Sequence, residues 1–178
     1  ATIAGKEETD FVQRYRIDNT VSSTTISWYK SGASLIRAGA ANVDDVLSEQ
    51  HEYRGGQAGL DTLEDADGNA LTLKTKTYFK GTIAGEEKTD FVQRYRVDGS
   101  VSSTTISWYK GATALIRAAS ANVDDVLSEQ HEYRGGTAGT GEPTGLTLKT
   151  KTYFKGTIAG EEKTDFVQRY RIDNTDSS

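Results

Sequence analysis

The side chains best suited to acid–base or metal chemistry are two histidines, His51 and His131, which stand in identical Ser-Glu-Gln-His-Glu-Tyr-Arg segments. A glutamate follows each histidine, and such a pair could in principle bind a metal ion. Adjacent residues of an extended strand point to opposite faces, so the imidazole and the next carboxylate would not converge on one ion. We therefore expect solvent-facing strand histidines, and the sequence predicts no metal site and no cofactor.

A calcium loop is the second chemical possibility, because Asp65, Asp67 and Asn69 alternate in the segment LEDADGNAL. The glycine comes too early for an EF-hand, and no acidic residue stands at the twelfth position. A hairpin turn at Asp67-Gly68 accounts for the same residues without an ion. We predict the turn.

Catalytic groups are poorly represented elsewhere. The carboxylate pairs Asp44–Asp45 and Asp124–Asp125 are adjacent, so they cannot face each other across a substrate as acid and base. The hydroxyl run Ser22–Thr25 has no histidine or lysine nearby in sequence to activate a nucleophile. Cysteine is absent, which excludes thiol chemistry. We expect that the chain is not an enzyme.

Two tryptophans, Trp28 and Trp108, stand beside tyrosines and could form platforms on which sugar rings stack. Residues of this type also pack on the half-buried face of a sheet. The sequence leaves both interpretations open, so surface glycans are one candidate partner.

Composition and charge indicate whether nucleic acids or membranes are partners. The net charge of −5 comes from interleaved charges of both signs, which does not give the basic stripe of a nucleic-acid-binding protein. No run approaches the ~20 apolar residues of a membrane helix. We expect neither nucleic-acid binding nor membrane insertion.

Internal repetition is the dominant feature. Residues 1–56 align without a gap on residues 81–136, with 44 of the 56 pairs identical, and the segment LTLKTKTYFK occurs at both Leu71–Lys80 and Leu146–Lys155. A further partial copy starts at Gly156. We divide the chain into unit 1 (1–80), unit 2 (81–155) and a partial unit 3 (156–178). Between the matched segments, Leu60–Ala70 and Thr137–Gly145 differ in length and are expected in exposed connections.

Alternating apolar and polar residues indicate strands, rich in Thr, Tyr, Ile and Val and ended by Asp or Gly turns. We predict an all-β fold: an extended or solenoid-like β-sheet array of tandem repeats, with about four strands per unit of 75–80 residues. The stretch Leu35–Gln50 could form a short helix capped by Asn42, or a loop that leads into a strand at Leu47–Arg54. The predicted repeat-stacking residues are the tyrosines at the strand ends: Tyr15, Tyr29, Tyr53, Tyr78, Tyr95, Tyr109, Tyr133, Tyr153 and Tyr170.

The segments RYRVDG and RYRIDN resemble the core of the YD (Tyr-Asp) repeats of Rhs-type and other large bacterial surface or secreted proteins. Tyr15/Asp18, Tyr95/Asp98 and Tyr170/Asp173 carry the resemblance, whereas the Gly-Arg-Leu sequence usual after the aspartate is absent. The resemblance implies a long continuous sheet that serves as a scaffold, in an extracellular or cell-surface protein.

These observations predict a structural module of an extracellular filament, stalk, sheath or giant surface protein. A unit with few large apolar residues cannot close its own core, but stacked neighbours bury one another's faces. The expected partners are further copies of the chain or flanking repeats of a longer one. The alternative is a carbohydrate-binding adhesive module.

Overall fold

One open antiparallel β-sheet contains all the strands of the described residues. The computed structural model describes residues 7–172, and its eleven strands confirm the all-β prediction. They are β1 Phe11–Tyr15, β2 Val21–Ser31, β3 Ser34–Ile36, β4 Val46–Arg54, β5 Leu73–Lys80, β6 Lys88–Tyr95, β7 Val101–Lys110, β8 Leu115–Ile116, β9 Leu127–Arg134, β10 Thr147–Lys155 and β11 Lys163–Arg169.

Strand order in space follows strand order in the chain. The hydrogen-bonded path runs β1-β2-β4-β5-β6-β7-β9-β10-β11, and the short strands β3 and β8 pair with β2 and β7. Residues 1–80 contribute four strands to this path, and residues 81–155 contribute four more. Each connection is therefore a local hairpin or loop, and β1 and β11 form the two edges.

The pairing registers recur at the spacing of the sequence repeat. Phe11 pairs with Ile26 between β1 and β2, and Phe91 pairs with Ile106 between β6 and β7. The register between β10 and β11 likewise matches that between β5 and β6, with an irregularity after Tyr153 and after Tyr78. In these ladders, residues at equivalent positions of the sequence pair in equivalent registers.

The two faces of the sheet carry different kinds of side chain. Residues directly opposite each other on paired strands share a face, so the pairing registers assign each side chain to a face. One face, here called the aromatic face, carries Phe91 paired with Ile106 and Gln93 paired with Thr104. The other carries mainly hydroxyl and charged side chains, such as Thr105 and Arg94. Ile26 and Ile106 of the aromatic face are completely buried, so the limited core lies there.

The aspartates of the Tyr-Asp segments shape the turns from β1 to β2 and from β6 to β7. The Asp18 carboxylate accepts hydrogen bonds from the backbone N–H and hydroxyl of Thr20, at 3.0 and 2.6 Å. These bonds hold the pKa of Asp18 below its ordinary range. The next residue has a positive φ in both turns, 63° at Asn19 and 81° at Gly99. Both residue types tolerate this left-handed backbone.

The stretch left open by the sequence is a loop that leads into a strand. A short 3-10 turn at Ala38–Ala40 is followed by a bend, in which Asp45 accepts a hydrogen bond from the Asn42 N–H at 2.8 Å, and then by β4. The bend leaves no room for an α-helix before the strand.

The variable connections are mostly exposed, as predicted. In unit 1, Glu64 and Ala70 form an isolated antiparallel bridge around Asp67-Gly68, and Gly68 has a φ of 81°. The predicted turn at Asp67-Gly68 is therefore confirmed. In unit 2 the connection is exposed at Thr137–Thr140, whereas Gly141 is buried against Phe91.

Candidate functional site

Gln93 of β6 is the largest fully buried polar side chain among the described residues. Its amide nitrogen donates hydrogen bonds to the backbone oxygens of Thr137 and Thr140, at 2.8 and 3.1 Å. Its amide oxygen accepts from the Gly139 N–H at 2.8 Å and from the Tyr95 hydroxyl at 3.1 Å. Both ends of the amide are satisfied without water, so the glutamine fastens the 137–140 loop to the sheet.

Gln13 of β1 makes the same arrangement in unit 1. Its amide nitrogen donates to the backbone oxygens of Gln57 and Leu60, and its oxygen accepts from the Gly59 N–H at 2.8 Å. Gln13 is only half-buried, whereas Gln93 is fully buried. The difference arises because β1 is an edge strand and β6 is internal.

An arginine from each 3-10 segment also ties its loop to the sheet. Arg117 donates to the Asp90 carboxylate at 2.8 Å and to the Gly141 oxygen at 3.1 Å. In unit 1, Arg37 bridges Asp10 and Asp61, at 2.7 and 2.9 Å. Loop, strand and 3-10 segment are thereby held together in each unit.

The histidines lie inside an aromatic cluster, so the prediction that they face solvent is wrong. His51 is only 8% exposed, with its ring 5.7 Å from that of Trp28 and 6.4 Å from that of Tyr53. Its Nε2 lies 2.6 Å from a carboxylate oxygen of Glu49. The relevant carboxylate is thus two residues before the histidine on the same strand face, and not the adjacent one. This hydrogen bond lowers the pKa of Glu49.

The same cluster recurs around His131, with Trp108 at 5.7 Å, Tyr133 at 6.5 Å and Glu129 at 2.6 Å. Burial lowers the pKa of His131 below its ordinary value of 6.5, although the hydrogen bond with Glu129 opposes the shift. The positive charge of Lys151 lowers this pKa further. The imidazole is therefore held neutral at neutral pH.

A His131→Gln substitution should flatten the pH dependence of stability. The unfolded chain takes up a proton as the pH falls through about 6.5, while the folded chain resists protonation until a lower pH. The free energy of unfolding should therefore fall between pH 7.5 and 5.5 by more in the wild type than in the variant. The difference between the two falls should be at most about 1 kcal/mol. Urea unfolding at both pH values measures the difference. Parallel losses in the two proteins would contradict the assignment.

The tryptophans are covered on one ring face. The guanidinium carbon of Arg37 lies 5.8 Å from the centroid of the Trp28 ring, and that of Arg117 lies 5.7 Å from Trp108. The indole Nε1 atoms of both tryptophans are buried without a hydrogen-bond partner in the described part of the chain. Three surface clefts of about 440–500 Å³ include neither tryptophan in their lining. These contacts favour packing over a sugar platform.

The tyrosines contact phenylalanine, histidine and glutamine side chains and backbone oxygens. Tyr78 and Tyr153 stack on the phenylalanine of the next strand, at 4.1 and 4.3 Å. The others make the contacts named here: Tyr15, Tyr95 and Tyr170 with Gln13, Gln93 and Gln168, Tyr29 and Tyr109 with the Thr9 and Thr89 oxygens, and Tyr53 and Tyr133 with His51 and His131. Asp173, the partner of Tyr170 in the Tyr-Asp pattern, lies outside the described residues.

Edge strands β1 and β11 expose side chains that the internal strand β6 buries. Phe91 of β6 is 6% exposed, and its equivalent Phe166 in β11 is 48% exposed. Tyr95 of β6 is 6% exposed, and its equivalent Tyr15 in β1 is 51% exposed. Unpaired edges with apolar side chains are surfaces on which another strand can pair. The edges are therefore the candidate interaction sites.

Other kinds of site receive no support from the described residues. Within residues 7–172, no group of three or more His, Cys, Asp or Glu is placed to hold a metal ion. None of the helices in this range has the length and apolarity needed to cross a membrane. Comparisons with protein-family models, with curated proteins and with solved structures find no match to the chain.

Proposed function

We propose that this chain is a structural tandem-repeat module of an extracellular filament, stalk, sheath or giant surface protein, and that it assembles end to end through the edge strands of its sheet. The observation that carries the proposal is edge strand β11. β11 repeats the sequence of β6 and pairs with β10 in the register that β6 has with β5. The sheet thus begins another unit at its edge.

The energetics of a single-layer sheet support the same role. Each strand contacts mainly its two neighbours, so the stability of such an array is approximately a sum of unit and nearest-neighbour terms. Stacked pairs such as Tyr78 on Phe91 and Tyr153 on Phe166 supply the cross-strand interactions. Each such pair contributes about 0.2–1 kcal/mol, so added length adds stability without a new core.

Carbohydrate binding is the alternative, and it receives less support. A sugar ring stacks on an open aromatic face, whereas arginines lie over Trp28 and Trp108. The indole N–H groups are buried as well, so they cannot bond to a sugar hydroxyl at the surface. Packing of the aromatic face accounts for both residues.

Assembly of the intact chain tests the proposal. Sedimentation velocity over a 100-fold range of concentration should show growing species, and electron microscopy should show linear particles. The control is Val167→Lys, because Val167 is half-exposed on edge strand β11 and a lysine on an edge strand discourages pairing. The control should stay smaller at equal concentration. An intact chain that remains a monodisperse monomer throughout would refute end-to-end assembly.

A further inference from the structure

The two edge strands have the same sequence. Thr9–Asp18 and Thr164–Asp173 both read TDFVQRYRID, and internal strand β6 contains the matching TDFVQRY at Thr89–Tyr95. One strand sequence therefore occurs in three different surroundings: at one edge, in the interior and at the other edge. The interior copy shows which neighbours this sequence is built to have.

Internal strand β6 is covered from both sides. On one side, Tyr78 of β5 stacks on Phe91 with ring centroids 4.1 Å apart. On the other side, Phe91 pairs with Ile106 of β7, and Gln93 bonds to Thr104 and to the 137–140 loop. Both sides together bury Phe91 and Tyr95.

Each edge strand has one half of these surroundings. β1 keeps the β7-like side, since Phe11 pairs with Ile26 of β2 and Gln13 bonds to the loop that begins at Gln57. β11 keeps the β5-like side, since Phe166 stacks on Tyr153 of β10 at 4.3 Å. Within residues 7–172, β1 has no β5-like neighbour and β11 has no β7-like neighbour, so each edge strand has the half of the surroundings that the other does not.

We propose that a second copy of this chain joins the two halves by strand exchange, in which β11 of one copy replaces β1 on β2 of the next copy. The exchanged β11 would lie between β10 and the partner copy's β2, which are the surroundings of β6. Simple addition of β11 beside an undisplaced β1 would place two like strands together and complete neither half. This inference specifies how neighbouring copies join in the end-to-end assembly proposed above, and it rests on that proposal.

Register-specific cross-linking tests the exchange. Val12 pairs with Thr25 in the β1–β2 ladder, so Val167 of an incoming β11 would face Thr25. The 178-residue chain has no cysteine of its own, so its Val167→Cys and Thr25→Cys variants can be mixed, assembled and oxidised. A disulfide-linked heterodimer is expected, because directly paired Cα atoms lie about 4.5–5.5 Å apart. In simple addition Thr25 would be one strand further away, at about 9–10 Å.

Matched controls give the reference and background yields of disulfide formation. A single chain that carries Val92→Cys and Thr105→Cys has the equivalent pair already in place, and its disulfide yield is the reference. Each single-cysteine chain oxidised alone gives the background of random coupling. A third mixture of Val167→Cys with Val12→Cys reports simple addition, because only then do β11 and β1 lie side by side.

A pair of equivalent substitutions gives an independent readout. Phe166→Ala weakens the incoming strand, so the apparent dissociation constant of assembly should rise roughly tenfold. Phe11→Ala weakens the strand that must leave, so the same constant should fall. In simple addition both phenylalanines would lie at the joint, and both substitutions would weaken assembly. Changes of opposite sign in the apparent dissociation constant therefore identify strand exchange.

The possible outcomes distinguish a failure of strand exchange from a failure of end-to-end assembly. Assembly with a Val167–Val12 cross-link, or with no cross-link above background at Thr25, overturns strand exchange and leaves end-to-end assembly intact. Assembly weakened by both alanine substitutions also overturns exchange. An intact chain that stays monomeric overturns both proposals.

Discussion

Replacement of Gln93 by methionine should lower the free energy of unfolding by about 2 kcal/mol or more. The substitution keeps the side-chain length but leaves the Thr140 oxygen and the Gly139 N–H without their partner, whereas the Thr137 oxygen keeps its hydrogen bond from the Thr140 N–H at 3.2 Å. Each buried polar group left unpaired costs about 1–3 kcal/mol. Urea unfolding monitored by tryptophan fluorescence measures the loss.

The matched control is Gln13→Met at the equivalent position of unit 1. Gln13 bonds to the 57–60 loop in the same way but is half-exposed at an edge. Water can reach the groups that this substitution releases, so the loss should be about 1 kcal/mol. Equal losses for the two variants would show that burial of the glutamine amide does not determine how much it contributes to the free energy of unfolding.

Replacement of Gly136 by alanine should also destabilise the fold by about 2–4 kcal/mol. Gly136 has a φ of 142°, and a Cβ added there would overlap the Thr104 hydroxyl. The backbone conformation costs about 1–3 kcal/mol for a residue with a side chain, and the overlap adds a further packing cost. Thermal and urea unfolding should both report the loss.

Gly99→Asn is the control for this second prediction. Gly99 has a φ of 81°, nothing lies within 4 Å of an added Cβ, and the equivalent position of unit 1 already holds Asn19 at a φ of 63°. The change in stability should be within about 0.5 kcal/mol. A loss as large as that of Gly136→Ala would mean that positive φ alone, without the overlap, determines the effect.

The strands and turns could be predicted from local sequence because their causes are local. Alternation placed Phe11, Gln13 and Tyr15 on one face, and Asp-Asn and Asp-Gly marked turns that the structure contains. The choice between a helix and a loop at Leu35–Gln50 needed tertiary information. The segment's spacing suits either form, and the pairing of β4 with both β2 and β5 decides it.

The buried polar residues could not be predicted, because their partners are distant in sequence. Gln93 bonds to groups 44 to 47 positions away, and a lone glutamine on a strand is usually exposed. His51 is covered by Trp28 from the neighbouring strand. The exact repetition of the Ser-Glu-Gln-His-Glu-Tyr-Arg segment, which also contains Glu49, was the available signal. Combined with the period-two alternation of a strand, which places residues two positions apart on one face, it would have pointed to the carboxylate two residues before each histidine.

The order of the strands determines how the sheet would respond to mechanical tension. β1 and β11 lie at opposite edges, and each strand of the path is hydrogen-bonded only to its neighbours. A pull on the two edge strands across the sheet acts along the inter-strand hydrogen bonds, which run perpendicular to antiparallel strands. Such a load opens one ladder at a time from an edge and leaves the remaining ladders paired. A chain of this design would lengthen in steps under load and could re-pair from the remaining sheet when the load is removed.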